Sequence, residues 1–271
     1  MKETLLELKK IYYTYDGAHD ALTDLSVRIC RGERIAVIGN NGAGKSTFFL
    51  ICNGVLRPQK GEVMFFGRQV NHRNKQDLMQ LRKHVGIVFQ DADNQLIAST
   101  VPGEISFGPM NLGLQRNEVQ ERVNDAIFRM QLQDYVDRAP QNLSGGEKKR
   151  VSIADILAMR PDIILFDEPT ASLDPQNSHL LEQTLDELSA AGITVVISTH
   201  DMDLALRFSE RVLVFSDGKL ARDGSPEEVF DDGALLFRAG LEKPLLYEVA
   251  ELLQIKERPR SIEALRETLQ N

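Results

Sequence analysis

Five short apolar runs constrain this chain more than any other feature. They are RIAVIG (34–39), HVGIVFQ (84–90), DIILFDEP (162–169), ITVVISTH (193–200) and RVLVFSDGKL (211–220), and helix-like stretches alternate with them. A strand with no polar face belongs in a sheet covered on both sides, and strands alternating with helices make that sheet mostly parallel. The expected fold class is therefore α/β. The first thirty residues read as short strands, LLELKKIYYTY and ALTDLSVRI, joined by a turn at Asp16-Gly17, and residues 57–70 are again strand-like and turn-rich.

From 91 to 143 the pattern changes. Residues 91–114 read as loop and carry eight apolar side chains: Leu96, Ile97, Val101, Ile105, Phe107, Met110, Leu112 and Leu114. Some must pack on a following helix, and the surplus reads as an interaction surface. That helix starts near Asn117, expected as its N-cap with Gln120 completing a variant capping box. Val119, Val123, Ile127 and Met130 form its apolar face. A second helix opens near Ser144, and others are expected at Gln176–Ala191 and 201–208. The tail after Pro226 is helical, and its leucines, from Leu235 to Leu253, suggest a small appended unit.

Charge and composition exclude several classes. With 40 acidic against 32 basic residues the net charge is −8, so the chain has no basic excess with which to bind nucleic acid. No apolar run approaches the roughly 18 residues of a membrane span. The start, MKETLLELKK, has no signal-peptide core, so a cytosolic chain is expected. Cys30 and Cys52 have no metal-site spacing and read as reduced thiols, small buried hydrophobes.

Three segments carry chemistry. Gly39-Asn40-Asn41-Gly42-Ala43-Gly44-Lys45-Ser46 fits G-x-x-x-x-G-K-[ST] between a β-branched strand and a helix. Its glycines let backbone N–H groups wrap phosphate oxygens, Lys45 is a point charge for terminal phosphates, and Ser46 offers a hydroxyl to Mg²⁺. IILFDE ends a buried strand with Asp167 and Glu168, facing the phosphate loop by the rule that ligands sit beyond the carboxyl ends of parallel strands. Asp167 suits Mg²⁺, through water, and Glu168 suits an attacking water. Leu143-Ser144-Gly145-Gly146-Glu147-Lys148-Lys149-Arg150 opens a helix, and is either a simple cap or a second anion site.

The ordered series GNNGAGKS, Gln90, LSGGE, ILFDE, SLD (172–174) and His200 resembles the ATP-binding cassette (ABC) family, the ATPase subunits of ABC transporters, over residues 5 to about 225. The resemblance implies a P-loop NTPase of the ABC type: a mostly parallel sheet flanked by helices, an antiparallel β subdomain, a helical subdomain at about 91–160 within a domain of 1–228, and a helical extension over 229–271. It implies ATP and Mg²⁺ as ligands, with binding residues running from Gly39 through Thr47. It also implies a head-to-tail dimer, with a second copy or a paralogue, in which Ser144, Gly145, Gly146 and Glu147 complete the partner's site. Tyr15 is expected to stack on adenine, while Tyr12 and Tyr13 equally suit strand packing. Gln90 is expected to touch Mg²⁺ or water, or else is a solvated loop residue. His200 contacts the γ-phosphate or caps the helix at 201–208, and Asp174 links the two sites or forms a turn with Pro175.

A finer resemblance, in residues 85–114 and 237–253, is to the ATPases of energy-coupling-factor importers, especially the cobalt/nickel CbiO-like branch. Ala92 replaces a frequent proline there, and Gly103-Glu104 an acidic pair. That branch implies a transmembrane coupling subunit, a substrate-binding membrane subunit and a place on the cytoplasmic face of the membrane, with cobalt or nickel as cargo ahead of water-soluble vitamins. Soluble ABC ATPases of DNA repair or translation need a long coiled-coil insertion or two cassettes, whereas only 97 residues (47–143) separate the phosphate loop from LSGGE here.

Overall fold

A computed structural model describes residues 2–91, 95–255 and 257–270, so Ala92 lies outside the described residues. β1 (Thr4–Thr14) and β2 (Asp20–Cys30) form a hairpin across the Asp16-Gly17 turn. Asp16 builds that turn by accepting hydrogen bonds from the amides of Ala18 and His19, which hold its carboxyl well below the usual range. β3 (Arg34–Ile38) leaves for a second sheet, while β4 (Lys60–Phe65) and β5 (Arg68–Gln69) return to complete an antiparallel sheet of order β2-β1-β4-β5.

The apolar runs form the second sheet. β6 (Val85–Val88), β7 (Ile163–Asp167) and β8 (Thr194–Ser198) are buried at every position, and β9 (Arg211–Ser216) and β10 (Lys219–Gly224) close one edge. The order is β10-β9-β3-β8-β7-β6, parallel except for the β10–β9 hairpin. Alternation sorts the side chains into two cores. Ile35, Val37, Ile163, Leu165 and Val196 face the antiparallel sheet and α1 (Lys45–Cys52), whose Phe48 and Phe49 are fully buried. Each such burial is worth about 1.5–3 kcal/mol. Ala36, Ile38, Ile164, Phe166, Val195 and Ile197 face the remaining helices.

α2 (Lys75–His84) packs Leu81 into the first of these cores, beside α1, and runs straight into β6. α3 (Val101–Asn111), α4 (Arg116–Arg129) and α5 (Gly145–Ala158) pack together as a layer, and α6 (Pro175–Ala190) and α7 (Met202–Phe208) connect strands. The tail forms α8 (Pro226–Phe230), α9 (Gly233–Ala239), α10 (Leu245–Leu252) and α11 (Ile262–Gln270). Packing shows no break at residue 228, because Val229, Phe230, Leu235, Leu236, Ala239 and Tyr247 join the same core as the sheet. Leu245, Leu252 and Leu253 instead face outward.

Two local expectations are corrected. Residues 101–111, expected as loop, are helical. Thr100 caps α3 by accepting from the Gly103 amide, Pro102 stands in the first turn, and Gly108 leaves room for Met159, whose Cγ would lie 2.5 Å from a Cβ there. Gly103, Gly108 and Pro109 serve packing and termini in a segment whose composition imitates a loop. Asn117 does not cap α4: the cap is Gln115, without a side-chain hydrogen bond, and the Val119 amide already donates to the Gln115 carbonyl at 2.9 Å. Ser144, by contrast, caps α5 in a full capping box with Glu147.

Between α3 and α5 lies an acidic pair. Glu104 is buried and its Oε2 accepts from the amides of Ile97 and Ala98. Burial first, and then the Glu104 charge, push the Asp155 carboxyl up from 3.8 to about 7, and Oδ1 of Asp155 is buried without a partner. A carboxyl with a raised folded pKa holds its proton more tightly in the folded chain. Stability therefore falls as pH climbs from about 4 to about 7 and stays lower above that. Asp155→Asn is expected to match wild type in melting temperature near pH 4 and to melt about 2–4 °C or more above it at pH 8. Melting curves across that range check this; equal curves at pH 8 would remove the Asp155 charge as a destabilising group.

Candidate active site

The carboxyl ends of β3, β6, β7 and β8 gather the expected site residues along one edge of the sheet. After β3 the loop must turn sharply back into α1. Gly39 (φ 153°) and Gly44 (φ 104°) allow it, and a Cβ would lie 2.4 Å from the Phe215 carbonyl oxygen at the first and 2.6 Å from that of Ala21 at the second. Gly44 caps α1 without any side-chain acceptor, and the first turn has no acidic residue, so no side chain of this turn competes with an anion for its N–H groups. Lys45 is buried and its Nζ donates to the carbonyls of Gly39, at 2.5 Å, and Asn40, at 3.3 Å. Burial lowers its pKa against the opposing charges of Glu168 and Asp167. Ser46 is exposed beside it.

Tyr15 is 64% exposed, with its hydroxyl 3.2 Å from Oγ1 of Thr47 and its ring edge-on to Tyr13. Tyr12 lies under the Lys60 ammonium and Tyr13 packs on the core, so Tyr15 is the tyrosine with a face open to a base.

The carboxylates are set by strand pairing. β7 and β8 place Asp167 opposite Ser198, whose hydroxyl donates to Oδ1 of Asp167. The chain then turns so hard that Glu168 adopts φ 45°, a left-handed conformation unusual for a residue other than glycine. Its amide donates to both the hydroxyl and the carbonyl of Ser198, each at 3.1 Å. Nδ1 of His200 lies 2.8 Å from Oε2 of Glu168. The cap of α7 is Asp201, accepting from the Leu204 amide, which leaves the His200 ring to the site. Gln90, exposed just beyond β6, joins Glu168 and His200 around a cavity of about 690 Å³. A neighbouring cavity of about 450 Å³ is lined by Tyr15, the loop from Asn40 to Thr47, Gln90 and Glu168. The Ser46 hydroxyl, the free Asp167 oxygen and the Gln90 amide are hard oxygen donors of the kind Mg²⁺ takes.

Ser144, Gly145, Gly146, Glu147 and Asp174 lie elsewhere. Oε2 of Glu147 accepts from the Ser144 amide at 2.6 Å, and despite desolvation this bond and its neighbours hold the Glu147 carboxyl below its usual range. Asp174 caps α6 and takes both the amide and the side-chain Nδ2 of Asn177, bonds that depress its pKa. Asn177 in turn lies against Gly146, its Cγ 2.4 Å from where a Cβ would stand. These residues make one cluster and line neither of the two cavities.

Sequence reading missed four contributors. Ser198 bridges the carboxylates through strand register, and Asn177 joins Asp174 to Gly146. Lys149, 4% exposed, donates to the carbonyls of Phe89 (2.8 Å) and Gln90 (3.1 Å). Gly240, left-handed at the end of α9, lies so close to Asn40 that a Cβ would stand 2.3 Å from its Nδ2. The available signals were a serine ending VVIS and a lysine two residues past LSGGE; Gly240 had none beyond being a helix-ending glycine.

A sequence model of the ABC transporter family matches residues 22–171. The chain belongs to this family of ATP-hydrolysing cassettes, and its fold is the ABC-type P-loop fold expected above. It is 47% identical over 251 residues to the energy-coupling factor transporter ATP-binding protein EcfA of Methanothermobacter thermautotrophicus, covering 93% of this chain and 80% of that one. To EcfA of Methanocaldococcus jannaschii it is 42% identical, over 93% and 90%. Among solved structures it resembles CbiO1 of Clostridium perfringens, described as part of the ABC transporter complex cbiONQ, with TM-score 0.78, 36% identity and coverage of 94% and 100%. It also resembles a dimeric ATP-binding cassette in a post-hydrolysis state bound to ADP and Pi, with TM-score 0.74, 30% identity and coverage of 82% and 99%.

Lys45→Ala removes the one side-chain cation of the loop and is expected to weaken ATP affinity about a hundredfold. Titration calorimetry checks it, and unchanged affinity would overturn the placement of the terminal phosphates at Lys45.

Proposed function

We propose that this chain is the ATP-hydrolysing subunit of an energy-coupling-factor importer, working as a head-to-tail dimer with a second copy or a paralogue. The observation that carries the dimer is the separation just described. Glu168, His200 and Gln90 surround one cavity and Lys45 lines its neighbour, while a second helix start suited to an anion, Ser144–Glu147, lines neither. Head-to-tail pairing brings each chain's Ser144 and Gly146 onto the nucleotide of the other, with Asp174 beside the junction. The post-hydrolysis dimeric neighbour supports this arrangement.

Within each site Tyr15 stacks on the base, the amides of Gly39–Ser46 and Lys45 cradle the phosphates, and Ser46, Asp167 and Gln90 hold Mg²⁺. When bound, the metal neutralises charge on the terminal phosphates. Glu168, turned into place by its left-handed backbone and held by His200, takes the proton of the attacking water, and His200 then faces the departing phosphate. Positioning and charge complementarity supply most of the catalysis, because phosphoryl transfer asks little covalent chemistry of the protein.

The names of the relatives support an energy-coupling-factor transporter, and the resemblance of residues 85–114 to the CbiO-like branch supports import, with cobalt or nickel as cargo. Among the described residues no helix is long and apolar enough to cross a membrane and no group of three or more His, Cys, Asp or Glu could hold a metal ion, so membrane attachment and cargo are assigned to partner subunits. The docking surface lies beyond Gln90, where Ile97, Phe107 and Met110 are 74%, 43% and 62% exposed. Leu96, grouped with Ile97 in the sequence reading, is a core residue at 7% exposure.

Glu168→Gln is expected to keep ATP binding, to lose about a hundredfold or more in turnover, and to accumulate an ATP-dependent dimer by size-exclusion chromatography. Wild-type turnover would remove Glu168 as the base; a monomer in ATP would remove the shared site. Ile97→Asp is expected to abolish co-purification with the membrane subunits while ATPase activity and melting temperature stay within error, whereas Leu96→Asp unfolds the chain. Intact assembly of the Ile97 variant would place docking elsewhere.

A further inference from the structure

We infer that Lys149 is a positioning residue that ties the start of α5 to the chain's own Gln90, so that nucleotide seated on Ser144–Gly146 by the partner sets the position of Gln90 in this chain's own site. The inference rests on the shared-site dimer proposed above.

A buried ammonium requires polar partners. Lys149 finds them in the main-chain carbonyls of Phe89 and Gln90, the two residues that follow β6, with Asp167 and Asp91 as the nearby opposite charges. Bonds to main-chain atoms fix the backbone from which the Gln90 side chain springs. At the other end, Lys149 is rigidly joined to the anion-binding turn: the capping box at Ser144 locks the first turn of α5, and a helix rises about 1.5 Å per residue, so Ser144 and Lys149 are little more than one turn apart. Arg150 points elsewhere, toward the Tyr135 ring and the Gln131 carbonyl. Any shift of the α5 N-terminus toward a phosphate therefore moves Lys149 as part of a solid body and draws the Gln90 backbone with it. The nucleotide met by Ser144 and the nucleotide beside Gln90 belong to different sites, so this one side chain connects the two.

The consequence is directional, and mixed dimers test it. Two differently tagged copies of the full chain are co-expressed, with Glu168→Gln in one so that a single site turns over. Lys149→Met is then placed either in the chain that keeps Glu168 or in the chain that lost it. The first placement severs Gln90 of the working site and is expected to lower turnover about tenfold, with ATP affinity unchanged by calorimetry. The second alters only the chain lending its Ser144, and turnover is expected to stay within about twofold. ATP-dependent dimerisation of the double variant Glu168→Gln, Lys149→Met is expected to match that of Glu168→Gln alone. Equal losses in both placements, or a loss only in the second, would overturn the inference. If Lys149→Met lowers the melting temperature, Lys149→Gln, whose amide still donates to a carbonyl, replaces it, and the same asymmetry in smaller measure is required. Failure of the Glu168→Gln chain to dimerise in ATP would instead overturn the shared site.

Discussion

The lateral pairing of β7 with β8 is the contact on which the rest of the site depends. It puts the Ser198 hydroxyl against Asp167 and, through the turn that follows, under the amide of Glu168. Two adjacent carboxylates at the end of a strand buried on both faces would repel each other and lose water together, so they need donors and cations close by. Ser198 supplies donors and acceptors from the neighbouring strand. Lys45 and Lys149, both buried, feel the charge of Asp167, one from the phosphate loop and the other from α5. A one-residue slip of β8 would set Ile197 or Thr199 opposite Asp167 and take the Ser198 hydroxyl out of reach of both carboxylate residues.

The sheet also explains why one edge collects all the chemistry. Strands buried on both faces have no room for polar side chains until they end, and parallel strands end on the same side. Gly39, Gln90, Asp167 and His200 come from four different strands and stand near one another because each lies at or just beyond the carboxyl end of a parallel strand. The antiparallel sheet closes the opposite face and delivers Tyr15 from its hairpin.

Much of this was legible because it is local. The glycine spacing of residues 39–46, the serine cap of α5 and the carboxylates after IILF carry their meaning within one turn of chain. What could not be read depends on contacts between distant segments. Lys149 carries no local mark that sets it apart from Lys148 and Arg150, and only the packing of α5 beside β6 shows that it is buried. Ser198 gains its role from strand register, and Asn177 from the approach of α6 to Gly146. The helix at 101–111 was hidden by two glycines and two prolines, of which Gly108 makes room for Met159 and Pro102 suits the first turn. The Asn117 cap failed for a simpler reason: the chain enters its helix before the asparagine arrives.

The glycine that ends α9 carries a last implication. Gly240 adopts φ 62° and leaves space for the side chain of Asn40, while the amide of Leu245 a few residues on donates to Asp203, three positions past His200. The tail is thus stitched to the phosphate loop and to the segment bearing the histidine by two contacts remote in sequence. A lesion at position 240 would behave genetically as an allele of the phosphate loop. A suppressor of it would be sought at Asn40, where a smaller side chain restores the clearance.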